Sequence, residues 1–113
     1  MRSSLAKSAD FTRVFEEGRS RANASLVLYW TPRADDGAEN RLGLIVSRGV
    51  GNAVTQNRLK RVLREAFAVV SVDWPRAHDY ILIARPPLVA VDKTGGLAAV
   101  SAQVRALTPR RVL

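Results

Sequence analysis

The chain has 113 residues, enough for one hydrophobic core and too few for two. Hydrophobic residues make up 47% and charged residues 25%, which excludes a disordered basic tail; the absence of cysteine excludes a disulfide framework, a thiolate nucleophile and a Cys-ligated zinc. Eighteen Lys and Arg against ten Asp and Glu give +8, a self-repulsion a small domain tolerates best when its partner is a polyanion, so nucleic acid or an anionic membrane surface heads the list.

Met1 to Lys7 holds no apolar stretch of signal-peptide length, and no charge-free run approaches the roughly 18 apolar residues that span a bilayer. The expectation is a soluble cytoplasmic protein of one domain over residues 1–113. Ser8-Ala9-Asp10 can cap a short helix in which Phe11, Val14 and Phe15 share a face, with Gly18 just past its end. Ser25 to Thr31 reads as a central strand, with Leu26, Leu28 and Trp30 on one face and Val27 and Tyr29 on the other. Leu42 to Ser47 is a second such run. The short acidic loop Asp35 to Asn40 between them predicts an antiparallel pair.

The longest helical signal runs from Asn52 to about Val70, where Leu59, Val62, Leu63, Ala66, Phe67 and Val70 form one apolar face. Asn57, Lys60, Arg61 and Arg64 gather on the opposite arc with Arg58 at its margin. Tyr80 to Ala84 reads as a buried strand closed by Arg85-Pro86-Pro87, and a last helix carries Leu97, Val100, Val104 and Leu107 before Pro109. The sum is an α+β sandwich.

The segment Ser47 to Glu65 concentrates the chemistry. Two glycines permit a tight turn, Asn52 is a suitable N-cap, and the first N–H groups of the helix face any approaching anion. Arg48, Arg58, Lys60, Arg61 and Arg64 extend the positive surface with only Glu65 against them, whereas a merely solvated helix face intersperses signs. An intrinsic enzyme lacks its residues: His78 is the only histidine, and Asp10, Asp35, Asp36, Asp73, Asp79 and Asp92 are scattered, so no catalytic or metal-binding residue is assigned. A membrane-surface helix is disfavoured because the apolar face of the basic helix is matched by other apolar elements it can bury against.

Gly51 through Arg64 resembles the signature of the protein subunit of bacterial ribonuclease P, Gly-Asn-Ala-Val-x-Arg-Asn-Arg-x-Lys-Arg-x-x-Arg, departing at Gln56, where the family has Arg. Phe11, Val14, Phe15 and Gly18 fit the family's opening, Leu28-Tyr29, Leu42-Gly43-Leu44 and Val46-Ser47 its strands, and Asp79 to Arg85 its late stretch. The resemblance implies a further strand near Arg19 to Asn23, giving an α-β-β-β-α-β-α order around a small mixed sheet, and a left-handed β-α-β crossover, as in one domain of a ribosomal protein. It implies a protein that binds a catalytic RNA and the 5′ leader of precursor tRNA, one protein per RNA, with hydrolysis by the RNA and its Mg2+. Arg48, Asn52, Gln56, Asn57, Arg58, Lys60, Arg61 and Arg64 would meet the catalytic RNA, and Phe11, Phe15 and Tyr29 would line the leader cleft, where unpaired bases stack on rings whatever their identity. The alternative is a general RNA-binding protein, such as a ribosomal component, using the same helix without a cleft.

Overall fold

The computed structural model describes residues 3–109. In chain order the elements are β1 (Ser3–Ser4), α1 (Ser8–Glu17), β2 (Arg19–Ala22), β3 (Leu26–Pro32), β4 (Arg41–Ile45), α2 (Ala53–Val70), β5 (His78–Ala84) and α3 (Leu88–Arg105). The two-residue β1 is an addition to the expected order; the rest follows it. The sheet order is β1-β4-β5-β3-β2, with β1, β4 and β5 mutually parallel neighbours and β5, β3 and β2 antiparallel ones. The expected pairing of Leu42–Ser47 with Ser25–Thr31 is therefore wrong. Strand β5 inserts between β3 and β4, with Leu28 opposite Leu82 on one side and Leu44 opposite the same residue on the other. Its Tyr80, Ile81 and Leu82 are fully buried, the pattern of a strand that needs neighbours on both edges.

Alternation along the strands separates two cores. Leu26, Leu28, Trp30, Leu42, Tyr80 and Leu82 face α2 and α3, whereas Ile81 faces the other way, packed with Leu5, Val14 of α1, Tyr29, Ile45 and Ile83. The larger core is anchored by Phe67, Trp74 and Tyr80, whose ring centroids lie 5.3–5.5 Å apart. Strands β4 and β5 with α2 between them form the β-α-β unit that carries the basic motif.

One helix end departs from expectation. Ser8, Ala9 and Asp10 are the first turn of α1 rather than its cap, which falls at Lys7 without a side-chain hydrogen bond. At its other end Gly18 closes the helix as expected, because a Cβ there would sit 2.4 Å from the Val14 carbonyl oxygen and 2.8 Å from that of Trp30. The last helix starts at Leu88, directly after the Arg85-Pro86-Pro87 turn, and bends at Gly96, whose φ of 59° and ψ of −148° interrupt the helical backbone. Val100, Val104 and Leu107 are buried as expected, whereas Leu97, next to the break at Gly96, is exposed.

Candidate RNA-binding surfaces

The basic motif begins where β4 ends. A single 3-10 turn, Arg48–Val50, buries Val50 and leaves Arg48 exposed; Gly51, at φ 152°, then redirects the chain into α2. Asn52 caps the helix, its Oδ1 accepting the Thr55 N–H at 3.0 Å. Gln56, half-buried, donates from Nε2 to the Gly51 carbonyl at 2.8 Å and so staples the glycine turn to the helix. That amide donor is turned inward, onto the protein's own backbone.

Along α2 the side chains divide into three strips. Asn57 and Arg61 form the exposed crown. Lys60 and Arg64 lie on the flank over the β4 edge, where they line a pocket of about 160 Å³ with Leu5, Phe11, Leu42 and Leu44. Arg58 lies on the other flank, toward α3, and grips Asp92 through Nε at 2.7 Å and Nη2 at 3.3 Å. The bond to the carboxylate raises the Arg58 pKa further, so this cation is permanent. Sequence spacing put Arg58 at the margin of the basic arc but could not show its partner, which is 34 residues away.

The opposite face of the sheet carries the aromatic residues. Phe11 lies over Gly43, where a Cβ would be 2.6 Å from the ring. Phe15 stands edge-on to Tyr29, with ring centroids 4.9 Å apart and planes at 86°, and remains 38% exposed. Beside Tyr29, the adjoining cross-strand row of Val27, Ile83 and Ile45 is only half-buried. These three extend the apolar floor and were not singled out from sequence, although the alternation that selected Tyr29 also selects Val27. Behind Phe11, the fully buried Asp79 binds Arg41 by two bonds of 2.7 and 2.8 Å and also Arg13 of α1, so the helix is fastened to the sheet by charge as well as packing. The Arg41 pKa is raised, first by its hydrogen bond to Asp79. Phe11 thus belongs to both surfaces: it lies over Gly43 on the aromatic face and also lines the pocket shared with Lys60 and Arg64.

His78 is held locally: its Nδ1 lies 2.7 Å from the Arg76 carbonyl oxygen and its ring stacks on Tyr80. Among the described residues no group of three His, Cys, Asp or Glu is placed to hold a metal ion, and no helix is long and apolar enough to cross a membrane.

Residues 1–107 match the family model for ribonuclease P. The chain belongs to the ribonuclease P protein family. It is 42% identical over 86 residues to a ribonuclease P protein component from Bacillus pumilus, covering 76% of this chain and 71% of that one, and 39% identical over 88 residues to that of Listeria innocua, covering 78% and 73%. Among solved structures, the ribonuclease P protein of Thermotoga maritima superposes with a TM-score of 0.82 at 28% identity, over 98% of this chain and 99% of that one. The Staphylococcus aureus protein gives 0.77 at 32% identity, over 96% and 97%. Membership in the ribonuclease P family fits the mixed sheet and the three helices.

Proposed function

We propose that this chain is the protein subunit of a ribonuclease P ribonucleoprotein in the cytoplasm, one copy per catalytic RNA, and that it holds both that RNA and the 5′ leader of precursor tRNA while the RNA, with its Mg2+, hydrolyses the leader away. The observation that carries this reading is the meeting of two surfaces at the β4 edge, where Lys60 and Arg64 of the basic helix share a pocket with Phe11 of the aromatic cleft. A phosphate backbone suits Arg48, Lys60, Arg61 and Arg64, with Asn52 and Asn57 as neutral donors beside them. A single-stranded leader suits the half-exposed Phe15–Tyr29 pair and its apolar floor. The protein supplies affinity and placement, and no residue of it takes part in bond cleavage.

Reconstitution tests this. The purified protein, freed of RNA, is expected to leave precursor tRNA intact, and to lower the Mg2+ concentration at which a bacterial ribonuclease P RNA cleaves it. Cleavage by the RNA-free protein would overturn the assignment of chemistry. Binding to that RNA with no effect on its cleavage of precursor tRNA would favour a general RNA-binding protein.

A further inference from the structure

Asp92 occupies an unexpected place. It lies one turn beyond Leu88 on the stripe of α3 that faces α2, a stripe on which an apolar residue would pack, and its side chain is 4% exposed. Its carboxylate is held by Arg58, which spans from α2 with Nε and Nη2 while its own side chain stays 53% exposed. A partly buried ion pair of this kind is no better for stability than well-packed hydrophobic residues, because both ions lose hydration. Stability alone therefore does not explain the acid.

We propose that Asp92 is a positioning residue for RNA binding: it fixes the Arg58 guanidinium so that the remaining donors are presented, already ordered, to a phosphate of the catalytic RNA. The guanidinium has five N–H donors. The two bonds to Asp92 orient the planar fork and leave donors on its outer edge. An arginine on an exposed helix face otherwise surrenders its rotamer freedom when it binds, and the carboxylate removes that cost beforehand. Asp92 touches no RNA itself. Its charge has an opposing effect, since one anion near the site weakens attraction for phosphate, and the two effects predict opposite signs when the carboxylate is neutralised. Orientation is the larger of the two effects in this proposal, so the sign of the Asp92→Asn change decides between them.

The inference rests on the reading that α2 meets the catalytic RNA, and the test separates the two. Affinity of the full chain for a bacterial ribonuclease P RNA is measured near physiological salt for the wild type, Asp92→Asn, Arg58→Lys and the double variant. Lysine keeps the charge at position 58 and cannot be held as a two-bonded fork, so Asp92→Asn in that background reports the charge effect alone. The expected result is a loss of about three- to tenfold for Asp92→Asn in the wild-type background, and no loss, or a small gain, in the Arg58→Lys background. Unchanged or tighter binding by Asp92→Asn alone, or an equal loss in both backgrounds, overturns the proposal. Thermal melts accompany each variant; if Asp92→Asn is unfolded at the assay temperature, Asp92→Glu replaces it, keeping the charge and displacing the fork by one methylene. A wild-type chain that does not bind the RNA at all refutes the functional reading instead.

Discussion

Phe11 and Phe15 are one helical turn apart and have different tasks. Phe11 is wedged over Gly43 and fastens α1 to the sheet, whereas Phe15 offers an exposed ring backed by Tyr29. Phe15→Ala is expected to weaken binding of leader-bearing precursor tRNA to the holoenzyme by the value of one stacked base, about 1–3 kcal/mol, with little change in the melting temperature of the protein. Equilibrium binding and a thermal melt check the two halves of that statement. Gln56 shows a limit of reading residues singly. Its type and motif position suggested a neutral donor for RNA, but its Nε2 is engaged with the Gly51 carbonyl. Arginine at 56 can keep one N–H on that carbonyl and add a charge, so Gln56→Arg is expected to tighten binding to the catalytic RNA and steepen its salt dependence by roughly 0.7–0.9 in log–log slope. A salt titration of the two proteins side by side measures it. The ion pairs Arg58–Asp92, Arg41–Asp79 and Arg13–Asp79 were invisible at this scale, because their members are 34, 38 and 66 residues apart and only the folded sheet and helix pair bring them together.

Elements whose local pattern agrees with their packing were legible. Helix α2 has an N-cap, an unbroken apolar stripe and a charged back, and its bounds fall where the spacing put them. Strand partners were not. The short loop after β3 argued for a hairpin, but β5, arriving more than thirty residues later with both faces apolar, takes the place between β3 and β4. Helix α3 was half-read, because Gly95-Gly96 breaks its period and hides the apolar positions of its first half. A Cβ at Gly96 would meet nothing within 4 Å, so Gly96→Ala is resisted by backbone conformation alone. A loss of about 1–3 kcal/mol in urea unfolding, with RNA affinity unchanged for the folded protein, is expected. Strand β5 carries a pH dependence. Burial pushes the Tyr80 hydroxyl pKa up, and that hydroxyl donates to the Pro75 carbonyl at 2.6 Å. Its folded value exceeds the unfolded value of about 10, so the contribution is complete below that pH and is lost as pH rises above it toward the folded value. Urea midpoints are expected to fall between pH 9 and 11 (about 10 being the ordinary tyrosine value), and Tyr80→Phe is expected to flatten that fall.

Across the whole molecule, charge is sorted by position. Asp35, Asp79 and Asp92 are each matched to arginine, and Asp10 lies 3.7 Å from Arg41, so these acids are consumed within the fold. The Arg33 hydrogen bond holds the Asp35 carboxyl well below the ordinary range, which keeps that pair charged. The net charge of +8 is therefore carried by cations on the surface, Arg48 on the turn and Arg61 and Arg64 on α2 among them. The sheet holds that basic helix on one face and the aromatic residues of α1 and β3 on the other, with Phe11, Lys60 and Arg64 meeting around the β4 edge. On the proposed function, one small fold grips the catalytic RNA and the leader together. The most direct test of this reading is the affinity of the reconstituted holoenzyme for precursor tRNA as the leader is shortened to nothing. Progressive weakening that depends on the protein and is blunted by Phe15→Ala is expected; affinity independent of leader length, with the wild-type protein present, would refute the joint grip on RNA and leader.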